Sequence, residues 1–535
     1  SCYARALEVS PRYAAAFYNQ GNAYGRLGRW REAVESYDQA LSIEPFYPQA
    51  LMNRGNALVE LRDNEAAVQS YTDALSIDPA IPYLAGTLLH VNMQQCQWAD
   101  YHARLEALVR DLAAGRPVCL PFPLLSLTDD VVLHKRVAQA WIESAHKRAR
   151  AVWVSKERSA NRKFKIGYFS GDFCNHPVAY LTAGLFETHD RSRFEIFAFS
   201  FGADAQDEMR VRLERTFDHF FDVKDCTDSQ LIARARECDL DIAIDLTGLT
   251  KGCRPGVFLA RVAPIQMSYL GYPGTTGIPE MDYVVVDKTI AEPADAEHYT
   301  EKFIRLAHSY QANDPSRKPS DRIFSRDELG LPVTGFVFCC FNNNYKINPG
   351  MFDCWMRILQ SVPDSVLWLR EATAQTAQNL RRAAQERGVD GARLVFASRI
   401  ESMGDHLARQ RVADLFIDAL PYNAHTTASD ALWAGVPVLT CKGRSYAGRV
   451  GASLLAALDL KELITSDLEE YVQVAVALAN DPARLDGLRV KLRQQLRTGP
   501  LFDIQRFTRN FEQALQKVIE RKAASLPADH VDVND

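Results

Sequence analysis

A spacing of 34 residues limits what this chain of 535 can fold into more than any other feature. Phe17, Gly21, Tyr24, Ala33, Tyr37, Ala40 and Pro45 recur slot by slot as Leu51, Gly55, Leu58, Ala67, Tyr71, Ala74 and Pro79. Tyr3, Ala6 and Pro11 fill three of these slots one period earlier. Small residues let two helices approach, aromatics fill the gap, and proline ends the second helix. Such a unit cannot bury its apolar face alone, so copies stack. The chain opens mid-repeat at Ser1, and the expectation is that earlier repeats precede it.

The pattern resembles the tetratricopeptide repeat, whose stacked helix pairs form a curved surface that holds peptides. An arm this short either holds a peptide or packs only against its own chain. Residues 1–80 are assigned to the repeats. Residues 81–160 stay helical but lose the period, with a break at Pro117, Pro121 and Pro123, and are assigned to an adaptor that caps the stack.

The length calls for three or more domains. A net charge of −5 gives no general pull toward nucleic acid or an anionic membrane. No apolar run approaches the ~18 residues that span a bilayer, and no leader pattern opens the chain. The 11 cysteines are scattered, without metal-ligand spacing, and Cys339 and Cys340 sit in an apolar run as small core residues. A reducing cytoplasm is the expected compartment.

From Phe164 the period changes. The runs FKIGYFS, FEIFAFSFG, LDIAIDLTG, PIQMSYLG and DYVVVD are near-continuously apolar, with helical stretches between several of them. That predicts a parallel sheet covered on both faces over residues 161–312. Residues 313–330, with Pro315 and Pro319, read as a polar linker. The pattern restarts over 331–523 with FVFCCFN, SVLWLR, RLVFAS, DLFIDAL and VPVLTCKG, and ends in a long helix from roughly Asp503 to Ala523. Residues 524–535 read as a disordered tail. Two doubly wound sheets in tandem face each other across a cleft, with ligands beyond the carboxyl ends of their strands.

Candidate residues follow strand ends. Lys346, in FNNNYKINP, lies in a strand-to-helix loop, either to neutralise phosphate or as a solvated lysine. In YNAHTTASDALWAG, Thr426 and Thr427 sit at a helix start, where free N–H groups and the helix dipole make an anion site. Asp430 either grips ribose hydroxyls or is the acidic member of a capping box. His425 donates to a phosphate oxygen or is a polar loop residue. His176, held extended before Pro177, is a general base, a substrate ligand or a structural histidine. The glycines of GYPGTTG, Gly271 to Gly277, allow close backbone approach to a ligand or form a plain turn. Asp239 and Asp241 spell the Asp-x-Asp that some sugar transferases use for a metal, but here they open a strand. Gly-x-Gly-x-x-Gly and Walker patterns are absent, which argues against NAD enzymes and P-loop kinases.

With these pieces in order, the chain resembles the O-linked N-acetylglucosamine transferase family. SGDFCNHP, DLTGLTKG, RVAPIQMSYLGYPGTTG, FNNNYKI, SVLWLR and AHTTASDALWAGVPVLT carry the likeness, over nearly the whole length. Its size and sequence are similar to bacterial members. The resemblance implies a repeat superhelix followed by a GT-B catalytic region of two Rossmann-like domains, the C-terminal one holding the nucleotide sugar. It implies that Lys346 contacts the donor diphosphate, with Asn342 and Asn343 lining that pocket, though animal enzymes have Gln where Asn343 stands. By the same token His425, Thr426 and Thr427 form the diphosphate segment, Asp430 binds ribose and His406 lies near the uracil. His176 matches an active-site histidine long proposed as general base, and Gly271 to Pro273 approach the donor sugar. Two departures stand out: the animal enzymes' long insertion between the halves is missing, and the repeat arm is short.

The expected activity is metal-independent, inverting transfer of N-acetylglucosamine from UDP to Ser or Thr of proteins, with no cofactor. A protein O-fucosyltransferase of the SPINDLY type, using GDP-fucose, is the alternative enzyme. A non-catalytic scaffold binding partners through its repeats is the third reading.

Overall fold

The computed structural model describes residues 12–145 and 162–535. The partial copy at Tyr3, Ala6 and Pro11 and the expected boundary near residue 160 lie outside the described residues. Helices Ala14–Arg26 and Trp30–Ile43 form one antiparallel pair, and Pro48–Glu60 and Asn64–Ile77 the next. A Cβ at Gly21 would meet the Tyr37 ring at 2.5 Å, and Gly55 faces Tyr71 in the same way. The small residue and the aromatic are therefore one packing unit. Helices Leu84–Gln94, Tyr101–Ala113, Pro121–Leu127 and Val131–Ala145 continue the stack. Leu84–Gln94 lies against the turn Asn344–Lys346 of the second α/β half.

The first sheet contains β1 (Phe164–Ser170), β2 (Phe194–Ser200), β3 (His219–Asp222), β4 (Ile242–Asp245), β5 (Ile265–Ser268), β6 (Tyr283–Asp287) and β7 (Lys302–Leu306). The second contains β8 (Val337–Cys340), β9 (Val366–Leu369), β10 (Leu394–Phe396), β11 (Leu415–Ile417), β12 (Val438–Cys441) and β13 (Ile464–Thr465). A last strand, β14 (Val531–Asp532), joins the first sheet, whose order is β14-β7-β6-β5-β4-β1-β2-β3. The second sheet's order is β10-β9-β8-β11-β12-β13. Every pairing is parallel, for example Ile166 opposite Ile242 and Cys339 opposite Trp368. Both sheets are thus buried on two faces, as their apolar runs require.

The tail is not disordered. Val531 and Asp532 pair with Ile304 and Arg305 at the edge of β7, and Val533 is fully buried. Arg305 Nε donates to Asp532 at 2.7 Å, and Phe303 N donates to His530 Nδ1 at 3.0 Å. An open edge offers backbone partners to a segment whose composition alone looks mobile. The helix Ile504–Ala523 also belongs elsewhere than expected. Its stripe of Phe507, Phe511, Leu515 and Val518 covers the first sheet, with Tyr269 and Phe511 rings 5.2 Å apart. His189 Nδ1 lies 2.9 Å from Glu512, and Thr188 bonds Thr508 at 2.5 Å.

The segment after β7 is a strap rather than a loose linker. Asp314 accepts from Arg212 at 2.6 Å, and Asn313 accepts from Ser429 at 2.5 Å. It is polar because its side chains tie the two halves together.

Candidate functional site

A cleft of about 1110 Å³ opens between the carboxyl ends of the two sheets. The end of β8 supplies its charged floor. The turn Asn344–Lys346 leads into the helix Pro349–Ser361, where Asn348 caps Met351 N at 2.9 Å. Lys346 is only 7% exposed, which excludes the solvated-lysine reading. Its Nζ donates to Asn423 O at 2.8 Å and lies 3.9 Å from the Tyr422 ring centroid. Burial lowers its pKa, and the nearby Asp418 carboxylate opposes this. Asp418 is itself raised by burial, against hydrogen bonds from Thr440 Oγ1 at 2.7 Å and Ala424 N at 2.6 Å. The direct partners of the ammonium are a carbonyl and an aromatic face. Such a cation is poised for an incoming anion.

The helix Thr426–Trp433 starts at the same floor. No side chain caps it, so its first-turn N–H groups are left to a ligand. Thr427 Oγ1 donates to Asn342 Oδ1 at 2.6 Å, and Asn342 Nδ2 donates to Asp418 at 3.3 Å. His425 is half-buried in the cleft wall, and loss of water around its ring, then the Lys346 charge, hold its pKa well below 6.5. Its Nε2 lies 3.3 Å from Ala447 O, so the neutral ring carries its proton there. Donation to a phosphate oxygen would require this ring to turn or take up a proton.

Asp430 sits further along the helix, behind the cleft wall. It makes no capping box, because the helix has no acidic residue in its first turn. Instead it accepts from Arg317 Nη2 at 2.8 Å, and both side chains are only 10% exposed. The Arg317 guanidinium also lies 5.1 Å from the Tyr180 ring centroid in the first half.

His406 lines the far end of the cleft. Burial, then Arg409, Arg317 and Arg370, push its pKa down to about 4, and Arg409 donates to its Nδ1 at 2.9 Å. Asn343 lies at the rim, where it accepts from the Arg370 guanidinium.

The opposite wall comes from the first sheet. His176 follows β1 and caps the helix Pro177–Thr188, its Nδ1 accepting from Val178 N at 3.3 Å. That bond puts the neutral ring's proton on Nε2. Asp172 Oδ1 stands 3.7 Å from the same Nδ1. Burial lowers the His176 pKa, and Asp172 opposes it. Gly271 lines the cleft, and a Cβ there would run into the Leu246 carbonyl. Pro273 is buried behind it. Glu301, 2% exposed, fixes this loop by accepting from Thr275 Oγ1 at 2.6 Å and Thr276 N at 2.7 Å.

The cleft therefore brings together His176, Gly271, Asn342, Asn343, Lys346, His406, His425, Thr426 and Thr427, and leaves Pro273 and Asp430 behind its walls. The Asp239–Asp241 pair lies at the opposite end of the sheet, before β4. There Asp241 accepts from Arg162 at 2.7 and 3.0 Å and from Lys165 N at 2.8 Å. Sequence reasoning missed Asp418, Tyr422, Asp172, Arg317, Glu301 and the arm's Arg62.

Comparison with known proteins adds context. A family model described as Glycosyl transferase family 41 matches residues 95–320 and 316–511, and a tetratricopeptide repeat model matches 1–48 and 18–82. An Arabidopsis thaliana protein, named a probable UDP-N-acetylglucosamine–peptide N-acetylglucosaminyltransferase SEC, is 33% identical over 81% of this chain and 46% of its own length. A Solanum lycopersicum protein, given the same probable activity and the name SPINDLY, is 31% identical over 67% of this chain and 39% of its own. The chain thus spans about half or less of these curated relatives. A solved structure of a lysine-to-methionine mutant of the Thermobaculum terrenum O-GlcNAc transferase superposes with a TM-score of 0.75 at 29% identity, covering 98% of this chain and 94% of the other.

Proposed function

The chain belongs to glycosyl transferase family 41, and on that premise we propose that its cleft transfers N-acetylglucosamine from UDP to Ser or Thr hydroxyls of proteins, with inversion and without a metal. The observation that carries this reading is the buried Lys346 ammonium, held on a carbonyl and a ring beside an uncapped helix start. In the reaction the acceptor oxygen bonds to the anomeric carbon while the bond to the β-phosphate oxygen breaks, leaving its electrons on UDP. Charge grows on that phosphate. Positive groups fixed in advance around a dry site stabilise such charge better than water does. The acceptor proton must leave as well, and His176 on the facing wall is the candidate that handles it.

Several findings support the details. The curated relatives and the solved structure carry N-acetylglucosamine in their names. Lys346 and the start of Thr426–Trp433 already place positive charge where a metal would otherwise bridge the phosphates, which supports the metal-free reading. Among the described residues no helix is long and apolar enough to cross a membrane. Ten described cysteines are free, which suits a reducing cytoplasm. The repeats are the natural surface for a protein acceptor.

A screen of UDP- and GDP-sugars for binding, paired with a peptide transfer assay in excess EDTA, tests the reading. UDP-N-acetylglucosamine should bind and transfer despite the chelator. Preference for GDP-fucose would install the SPINDLY-type alternative. Donor binding without transfer would favour a scaffold, and rescue by Mn²⁺ or Mg²⁺ would sink the metal-free chemistry.

A further inference from the structure

The mouth of the cleft has a positive charge that the donor chemistry does not use. Arg62, Arg370 and Arg399 all line it, from three separate segments. Arg370 follows β9, Arg399 follows β10, and Arg62 comes from the repeat arm, in the turn between Pro48–Glu60 and Asn64–Ile77. None of the three forms an ion pair among the described residues. Arg370 donates to Asn343 Oδ1 and so stays beside the Lys346 loop. Desolvation lowers the Arg370 pKa, Glu371 and Tyr345 oppose that, and repulsion from Arg62 and Arg399 adds to it. Asp172, Glu371 and Glu401 line the same cleft, but with Arg409 four guanidiniums stand against these three carboxylates. Lys251 does not add to the excess, since it pairs with Glu60 at 2.7 Å.

Arg62 is the most telling of the three. Its backbone is left-handed, at φ 63°. The slot 34 residues earlier holds Gly28, at φ 69°. Glycine adopts that conformation freely, whereas a side chain makes it costly. The second repeat therefore carries a guanidinium where its sister uses the residue the backbone prefers. Lys251 of the first α/β half donates to Glu60, the last residue of the helix before that turn, at 2.7 Å, so the arm and that half meet beside Arg62. Strain kept at a site is a pointer to use.

We infer that Arg62, Arg370 and Arg399 form a subsite for an acidic side chain of the acceptor protein, close to the hydroxyl that is modified; this rests on the transferase reading above. The donor's diphosphate already has Lys346 and the start of Thr426–Trp433. An acidic acceptor entering beside that diphosphate would be repelled unless the mouth offered compensating positive charge. The arginine contributed by the repeat arm stands where a peptide leaving that arm would enter.

The test uses the full chain saturated with UDP and two degenerate pools of Ser-centred peptides, one flanked by Asp and Glu, the other by Asn and Gln. Binding is read by fluorescence anisotropy at low salt. The wild type should bind the acidic pool about fivefold more tightly. Arg62→Gly should remove most of that ratio while leaving UDP affinity within about twofold. This variant restores the glycine of the sister repeat, so its melting temperature should not fall. Equal binding of the two pools by the wild type, or an unchanged ratio in Arg62→Gly, overturns the subsite. So does a loss of UDP affinity, which would assign the arginines to the donor. Transfer onto the same pools is measured in parallel. If the acidic preference appears in binding but no sugar is transferred, the arginines bind acidic peptide, and the transferase reading falls together with their acceptor role.

Discussion

Lys346 carries a charge that the fold disfavours and a diphosphate would welcome. Burial lowers its pKa from the usual 10.5, so between the lowered value and 10.5 the apo site tends to be neutral. The unfolded chain holds a proton in that window that the folded chain lacks, so apo stability rises with pH there. UDP should reverse the shift, and binding at such a pH should take up a proton. Calorimetry in buffers of different ionisation enthalpy should show this uptake in the wild type and lose it in Lys346→Met. The same variant should lower kcat by roughly 10²-fold or more, and near-normal turnover would refute the role. His176 offers a sharper choice. With Nδ1 accepting from Val178 N, its Nε2 holds a proton and acts as a donor. A base at Nε2 needs the other tautomer, which Asp172 is placed to favour. His176→Ala should abolish transfer and leave UDP affinity within a few-fold, at about 1 kcal/mol of lost helix cap. If His176 is the base, the rate appears above an apparent pKa lower than 6.5 and is lost as pH falls through it. Asp172→Asn should then cut kcat too, and an unchanged kcat would make His176 a donor instead. Sequence reasoning could locate these residues because strand ends are visible. It missed their partners because Lys346 and Asn423 are 77 residues apart, and Arg317 and Asp430 are 113 apart.

Elements were legible in proportion to their apolar length. Runs such as FKIGYFS announce β1 because a strand buried on both faces must be apolar throughout. β3 has only two apolar residues between polar ends, β13 has two residues, and β14 reads only VD. Their strand character comes from a neighbouring edge, which no local pattern records. The same holds for Ile504–Ala523, which was legible as a long helix but whose target sheet was not. Removing residues 526–535 should therefore lower the melting temperature, since it strips the β7 edge, the 2.7 Å Arg305–Asp532 bond and the buried Val533. UDP affinity should hold, because no tail residue lines the cleft. An unaltered melting curve would mean that the tail merely rests on its edge.

At the scale of the whole molecule, the two halves meet through a polar strap whose central tie is Arg317. It reaches Tyr180 in the helix that His176 caps and Asp430 in the helix that starts the anion site. The facing walls of the cleft are thus linked through one guanidinium. Asp430 consequently has two roles to separate: gripping the donor's ribose, and anchoring the strap. Removing either partner leaves the other charge buried, at about 3–5 kcal/mol. Asp430→Ala and Arg317→Ala should each lower the melting temperature, and the double variant should regain much of that loss. Nucleotide affinity should behave differently. If Asp430 grips ribose, Asp430→Ala weakens UDP by about 1.5–3 kcal/mol through a lost charge-assisted hydrogen bond, and the double variant stays as weak. If Asp430 serves only the strap, UDP affinity follows stability and recovers in the double variant. Calorimetry of UDP binding beside melting curves on the three variants reads both quantities. We expect stability to recover and affinity not to. Recovery of both would restrict Asp430 to the strap and remove it from the donor site.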